Sequence, residues 1–524
     1  MSKDQPQSDL TKVTPPAELT EPELKAVFQH LKRRLAAHRN HAETYAMNEL
    51  VFTSGDVSKN QQTQEAQCSE INHWAQTLLE NAWAACQEPG GGKCPELTSM
   101  SDTSTTGLPA LPAQAQLNQL LHTILFIDLT STRSYHAHTR TFLSTFGSLD
   151  EDAIAATLKD PQRAVAEAER KSKTDTAKEE QAQRNATMRK IGLGIAAASR
   201  GWLGIGGTAA GLLASGLAGS SVVCGALFGA YGSKKSAEMV DRYTKEVEDL
   251  AIVPIREPRE TLAVKLCVSG WLESPEDVSA PWTVLDGQDT FALQWTVFAA
   301  LAAALSPTAW LKIGQIIDNP WMTTKVRASK TARVLSTLLA SRILGNRPIT
   351  LIGYSLGSQI IFEALQHLAA LPPSQTIGLI QDVYLFGSPV PADEVSWASV
   401  RRVVAGRLVN GYSTNDYVLA VLARASGGSW SVSGLQAVQV QGVENVECKE
   451  VDGHLHWRGI IGQCLQKCGV EGVVGAEIRE QLKKKEEPIE TFINIGENDI
   501  DEIIKRGDDS KEGVMEELAQ ERTQ

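Results

Sequence analysis

The chain has 524 residues, 42% hydrophobic and 21% charged, a balance that excludes a wholly disordered protein and leaves room for several domains. Its net charge of −12, with a pI near 5.5, leaves no broad basic face, so no nucleic acid is expected as a partner. The eight cysteines show no C-x-x-C or tight framework spacing, and Met1-Ser2-Lys3-Asp4-Gln5-Pro6 has no apolar core, so the expectation is an intracellular protein with reduced thiols, not a secreted one.

Residues 1–18 are polar and contain prolines, and are expected to be disordered. From 19 to 170 the periodicity is helical. Leu24, Val27, Phe28, Leu31 and Leu35 share one face of a helix capped near Thr20, and Leu117, Leu120, Leu121, Ile124 and Leu125 mark another. A loop rich in Gly, Pro, Ser and Thr, from Glu88 to Pro112, separates them. This predicts an all-helical N-terminal domain with no chemistry of its own. Residues 171–189 are charged and polar, a linker or a solvated helix.

Residues 190–236 reverse that character. Gly201 to Ser233 holds no charged residue and is bracketed by Arg200 and Lys234-Lys235. Such a run is a membrane candidate, and Gly207/Gly211 and Gly225/Gly229 have the small-xxx-small spacing that lets helices approach. Glycine lowers the hydrophobicity, and Gly219-Ser220-Ser221 is a candidate break into two short pieces. A single span, a shallow re-entrant hairpin and a buried helical pair all fit. Gly204-x-Gly206-x-x-Ala209 mimics a dinucleotide fingerprint, but no strand precedes it and no acidic residue follows within the run. Residues 237–259 are expected to be a connecting helix.

Residues 260–470 alternate strand and helix, the rhythm of an α/β domain. Strands are predicted over Leu262–Val268, Phe291–Trp295, Pro348–Ile352, Gln381–Phe386, Arg407–Tyr412 and Val443–Val451, with helices after Trp295 to Leu305 and over Thr323–Leu344. Residues 471–524 read as a charged, acidic tail without core. The N-terminal domain and this tail are the candidate surfaces for protein partners.

The chemistry centres on Gly353-Tyr354-Ser355-Leu356-Gly357. Gly-x-Ser-x-Gly is weak alone, but here it lies between an apolar strand and a helical pattern from Ser358, the setting of a nucleophile elbow. Gly353 and Gly357 suit it because a Cβ at either flank would crowd the adjoining strand and helix. A serine hydroxyl needs a base, and the base needs an orienting acid. On α/β-hydrolase sheets these follow in the order Ser, acid, His at strand ends. The chain offers Ser355, Asp416 and His454 in that order. Downstream histidines are His367, on the helix leaving the elbow, and His454 and His456 in one turn; His454 is preferred, with His456 as rival. Asp416 also suits a helix N-cap, a compatible role, and Asp393 and Asp452 are its rivals.

An oxyanion hole needs two backbone donors. Leu356 supplies one. The second is expected in Ser269-Gly270-Trp271-Leu272, from Trp271 or Leu272, with Gly270 permitting close approach. Asp452, His454 and His456 could be metal ligands, but nothing supplies a third ligand at diagnostic spacing; Cys464 and Cys468 read as core thiols. Neither metal nor cofactor is expected.

Arg347 to Ser358 resembles the elbow of the DUF726 family, which includes the transmembrane and coiled-coil domain-containing protein 4 type and its fungal relatives. Val268-Ser269-Gly270-Trp271-Leu272, Leu293-Gln294-Trp295, Gly387-Ser388-Pro389-Val390, the Val404–Asn410 stretch, Tyr412–Asp416, Val443–Val446 and Gly453-His454 match its signature in order. The resemblance implies an α/β-hydrolase fold preceded by a membrane-associated segment, and carries the family's triad to Ser355, Asp416 and His454. It implies no particular substrate. Two departures stand out: Trp457 where a tyrosine is expected, and a short segment between Trp295 and Pro348 that leaves the pocket's shape open. The expectation is a membrane-associated serine hydrolase on the cytosolic face of an internal membrane, acting on an ester or lipid substrate. The alternative is an adaptor or trafficking protein that keeps the fold without turnover.

Overall fold

The computed structural model describes residues 10–48, 57–167, 208–228, 250–272, 274–295, 322–425, 431–451, 453–454 and 456–486. The charged stretch 171–189, the helix expected after Trp295, Asp452 and the tail beyond 486 lie outside the described residues.

The N-terminal region is helical. Helix α1 is Leu10–Val13, α2 Glu21–Ala46, α3 Val57–Ala85, α4 Gln114–Thr132, α5 Ala137–Ser144 and α6 Glu151–Lys159. A capping box starts α2: Glu23 Oε2 accepts the Thr20 amide at 2.8 Å, satisfying a donor the helix cannot. Leu24, Val27, Phe28, Leu31 and Leu35 face the core with Leu120, Leu121, Ile124 and Leu125 of α4. The expected disorder over residues 1–18 does not extend to α1, because Leu10 and Val13 are buried in that same core.

Helices α7 (Thr208–Ala218) and α8 (Ser220–Phe228) come from the uncharged run and bend by 66° at Gly219, where the sequence suggested a break. At 11 and 9 residues they reach about 16 and 14 Å, short of a hydrocarbon core of about 30 Å. No single helix among the described residues is long and apolar enough to cross a membrane. The pair is docked: Leu213, Val223, Leu227 and Phe228 join the N-terminal core, while Val222 is exposed. Its end is fastened just before the elbow strand, where the Asn346 amide donates to the Ala226 carbonyl at 3.0 Å.

Among the described residues, the remainder is built on a seven-stranded sheet in the order β1-β3-β2-β4-β5-β6-β7. Its strands are β1 Ala251–Pro254, β2 Val264–Val268, β3 Asp289–Gln294, β4 Ile349–Tyr354, β5 Ile380–Phe386, β6 Leu408–Tyr412 and β7 Val443–Glu447. β1 pairs antiparallel with β3, and every other pairing is parallel. Of the connecting helix expected over 237–259, residues 237–249 lie outside the described residues, and 251–254 form a strand whose edge position tolerates Pro254. β2, β4 and β5 are almost wholly buried, which is why they read as continuous apolar runs. Lys265 is the basic exception: it is buried in β2, and that burial lowers its pKa to about 8.

The helices here are α9 Met322–Ala340, α10 Leu356–Ala369, α11 Pro373–Thr376, α12 Glu394–Arg401, α13 Tyr417–Ala425, α14 His456–Lys467 and α15 Gly475–Glu486. α15 revises the expected tail, since Ile478 is buried and the Val474 amide donates to the Val284 carbonyl at 2.8 Å. Trp282, Trp295, Trp397 and Trp457 are fully buried.

Candidate active site

Parallel register brings the carboxyl ends of the central strands to one edge: Val268 aligns with Gly353, Tyr354 with Phe386, and Phe386 with Gly411. The turns after β2, β4, β5 and β6 therefore open on the same side, where open α/β sheets bind ligands.

Ser355 stands between β4 and α10 with φ 55° and ψ −130°, a region L-residues rarely occupy. The surroundings enforce that strain. The Ser355 amide donates to the Phe386 carbonyl at 2.8 Å, and Ser358 Oγ both donates to that carbonyl and accepts the Phe386 amide, each at 3.1 Å. A Cβ on Gly357 would lie 2.1 Å from the Val268 carbonyl oxygen, and one on Gly353 would lie 2.8 Å from Ile361 Cδ1. Both elbow glycines are thus required by close approach.

Ser355 Oγ lies 2.5 Å from His454 Nε2, and His454 Nδ1 lies 2.7 Å from Asp416 Oδ2. Gly453, at φ 98°, turns the chain so that His454 faces the elbow. Asp416 is fully buried and Ser355 is 3% exposed. The rivals stand elsewhere: Asp393, the alternative to Asp416, caps α12 by accepting the Ser396 amide at 2.9 Å, and His456, the alternative to His454, is the first residue of α14. His367 lies in the last turn of α10. Asp416 also caps α13, its Oδ1 accepting the Leu419 amide at 3.1 Å.

Trp457, which the sequence offered only as an oddity, donates its indole N–H to Asp416 Oδ2 at 2.9 Å. Indole and backbone N–H groups only donate, so Asp416 is held as the acceptor of all three bonds. His454 then donates from Nδ1, leaving Nε2 to accept from Ser355 Oγ–H. The indole also needs room: a Cβ on Gly387, at φ 52°, would lie 2.3 Å from Trp457 Nε1. No motif marks Trp457; the signals available were its proximity to His454 in sequence and its departure from the tyrosine expected there.

The turn after β2 packs directly on the elbow. A Cβ on Gly270 would lie 2.6 Å from Ser355 Cβ and 2.9 Å from the Tyr354 carbonyl oxygen. Ser269 is anchored by Trp282 Nε1 donating to its Oγ at 2.9 Å and Trp295 Nε1 donating to its carbonyl at 3.0 Å. As the first residue of α10, Leu356 carries one of the amides that a helix cannot pair internally. Burial pushes the Tyr354 phenol above its usual pKa, so it stays neutral beside the site. Among the described residues, no group of three or more His, Cys, Asp or Glu side chains could hold a metal ion. Cys464 and Cys468 are buried free thiols.

Fold and site together define a mixed α/β protein with a mostly parallel sheet and a strained serine backed by an imidazole and a carboxylate. The family described as "Protein of unknown function (DUF726)" matches residues 189–297 and 290–471, and the chain belongs to it. Among curated proteins it is 33% identical to one named "Probable lipase MIL1" from Saccharomyces cerevisiae over 333 residues, 56% of this chain and 30% of that protein. It is 33% identical to an uncharacterized membrane protein of Schizosaccharomyces pombe over 308 residues, 51% of this chain and 52% of that one. A third relative, "Transmembrane and coiled-coil domain-containing protein STS1" of Oryza sativa subsp. japonica, is 34% identical over 299 residues, 50% of this chain and 45% of that protein. The matched stretch thus covers about half or less of these relatives.

Proposed function

We propose that this protein is a membrane-associated serine hydrolase of the α/β-hydrolase fold, acting on a carboxylic ester of a lipid. The observation that carries the reading is the continuous hydrogen-bonded chain Ser355–His454–Asp416 at the end of a strained elbow. Such backbone strain costs about 1–3 kcal/mol and persists only where the surroundings enforce it, and these outliers cluster at functional sites.

His454 Nε2 takes the Ser355 hydroxyl proton as Oγ attacks the ester carbonyl. The carbonyl π electrons move to its oxygen, where the Leu356 and Trp271 amides stabilise the charge. Collapse breaks the ester C–O bond, and the imidazolium returns its proton to the leaving alcohol. Water then repeats the sequence on the acyl-enzyme, releasing the acid and restoring Ser355. Asp416 orients the imidazole and balances its positive charge, with Trp457 holding Asp416. No cofactor enters.

The lipid class rests on the yeast relative's name, and membrane association on the relatives named as membrane proteins and on the uncharged run around α7 and α8. A fluorophosphonate probe should label the wild type and leave Ser355→Ala unlabelled. An unlabelled wild type, beside hydrolases that react under the same conditions, refutes the reading; full rescue of a deletion by Ser355→Ala would favour the adaptor alternative. Retention in the membrane pellet after carbonate extraction is expected, and release into the supernatant would argue against insertion.

A further inference from the structure

Helix α14 begins two residues after His454, and its first turn reaches two parts of the site at once. Trp457 and Arg458 are consecutive, so their side chains leave the helix about 100° apart and meet different elements. Trp457 donates to Asp416. Arg458 Nη1 lies 2.9 Å from Asp277 Oδ1, in a pair whose side chains are 35% and 11% exposed.

Asp277 belongs to the segment that closes the turn after β2. Its Oδ2 accepts the Ser274 amide at 3.0 Å, and its carbonyl accepts Ser269 Oγ–H at 2.8 Å. Ser269 immediately precedes Gly270, which packs on the elbow, and Trp271 follows it. A continuous path therefore runs from the helix after the base, through Arg458 and Asp277, to the backbone opposite Ser355. We propose that Arg458 is a positioning residue. Through Asp277 it holds the Ser269–Trp271 turn in register with His454 and Ser355, so that the Trp271 amide meets the developing oxyanion. This rests on the hydrolase reading and extends it to a residue that touches none of the reacting atoms.

A donor that is misaligned, but still present, loses less than the 10²–10³-fold that follows its removal. In the full chain, Arg458→Met and Asp277→Asn should each lower kcat on a short p-nitrophenyl ester about tenfold, with KM within about twofold. An alkyl boronic acid, which forms a tetrahedral adduct on the serine, should bind more weakly by a similar factor. The double variant should be no worse than the poorer single one, because both break one path. Arg458→Lys should recover part of the loss; if Arg458→Met fails to fold, the Lys and Asn variants carry the test. Unchanged kcat and boronate affinity in stably folded variants would overturn the proposal, as would losses that simply add. A wild type that neither turns over ester nor takes the fluorophosphonate sinks the hydrolase reading and this inference with it. An active wild type with unaffected variants sinks this inference alone.

Discussion

Gly270→Ala tests the close packing between the turn after β2 and the elbow. The added methyl would sit 2.6 Å from Ser355 Cβ, whereas carbon–carbon contacts settle at about 3.5–4.0 Å, so one partner must move by about 1 Å. Ser355 resists moving because its amide is tied to Phe386 and its flanking Gly357 already abuts the Val268 carbonyl. The turn yields instead and takes Trp271 with it. Overpacking of this kind destabilises by about 1–3 kcal/mol, and a displacement of about 1 Å at a reacting centre slows chemistry by about 10²-fold. The assay is the second-order rate of fluorophosphonate labelling, with the urea midpoint measured on the same preparation. Gly211→Ala is the control: it lies in α7, its methyl would meet nothing within 4 Å, and helix propensity favours alanine by up to about 1 kcal/mol. It should label at the wild-type rate. Gly270→Ala labelling equally fast with an unchanged midpoint would refute the packing argument.

Trp457→Phe keeps the ring beside Gly387 but removes one of the three donors to buried Asp416. A hydrogen bond to a charged group contributes about 1.5–3 kcal/mol, so the variant should lose stability on that scale in urea unfolding and label more slowly. Acid should loosen the contact between the N-terminal helices and the sheet region. His136 stacks on Trp74, His38 and His138 lie tilted against the same indole, and His136 fills the space beside Gly378. Burial lowers all three pKa values, to about 4 for His38 and about 3 for His136, with further lowering from His41 and then Arg401 at His38, from Arg342 and then His38 at His136, and from His38, His136 and then Arg401 at His138. A depressed folded pKa means that the neutral cluster is stable above the unfolded value of about 6.5 and that stability is lost as pH falls below it. By pH 5, His38 and His136 should each have lost about 2 kcal/mol, seen as a falling urea midpoint between pH 7 and 5. A flat midpoint over that range would contradict the burial of these imidazoles.

The sequence by itself determined the elements whose signals are local. Alternating strand and helix patterns after residue 260, the Thr20 cap, and the Gly353 to Gly357 turn between strand and helix all depend on neighbours within a few positions. The break at Gly219 was legible for the same reason, since glycine acts on its own stretch of backbone. What the tertiary structure decided were pairings between residues far apart in the chain. Four short residues at 251–254 become an edge strand because β3 offers them an antiparallel partner, not because their own pattern demands it. Residues 475–486 look like the start of a charged tail, yet the apolar face of α15 is covered by α14. Order along the chain narrowed the acid and the base to a few candidates. Which imidazole meets Ser355, and that an indole and a guanidinium from the next helix turn reach the acid and the opposite loop, followed only once parallel register had brought the strand ends to one edge. Side-chain contacts at separations of 38, 41, 99 and 181 residues leave no trace in periodicity, because periodicity reports on the face of one element and not on what that face meets.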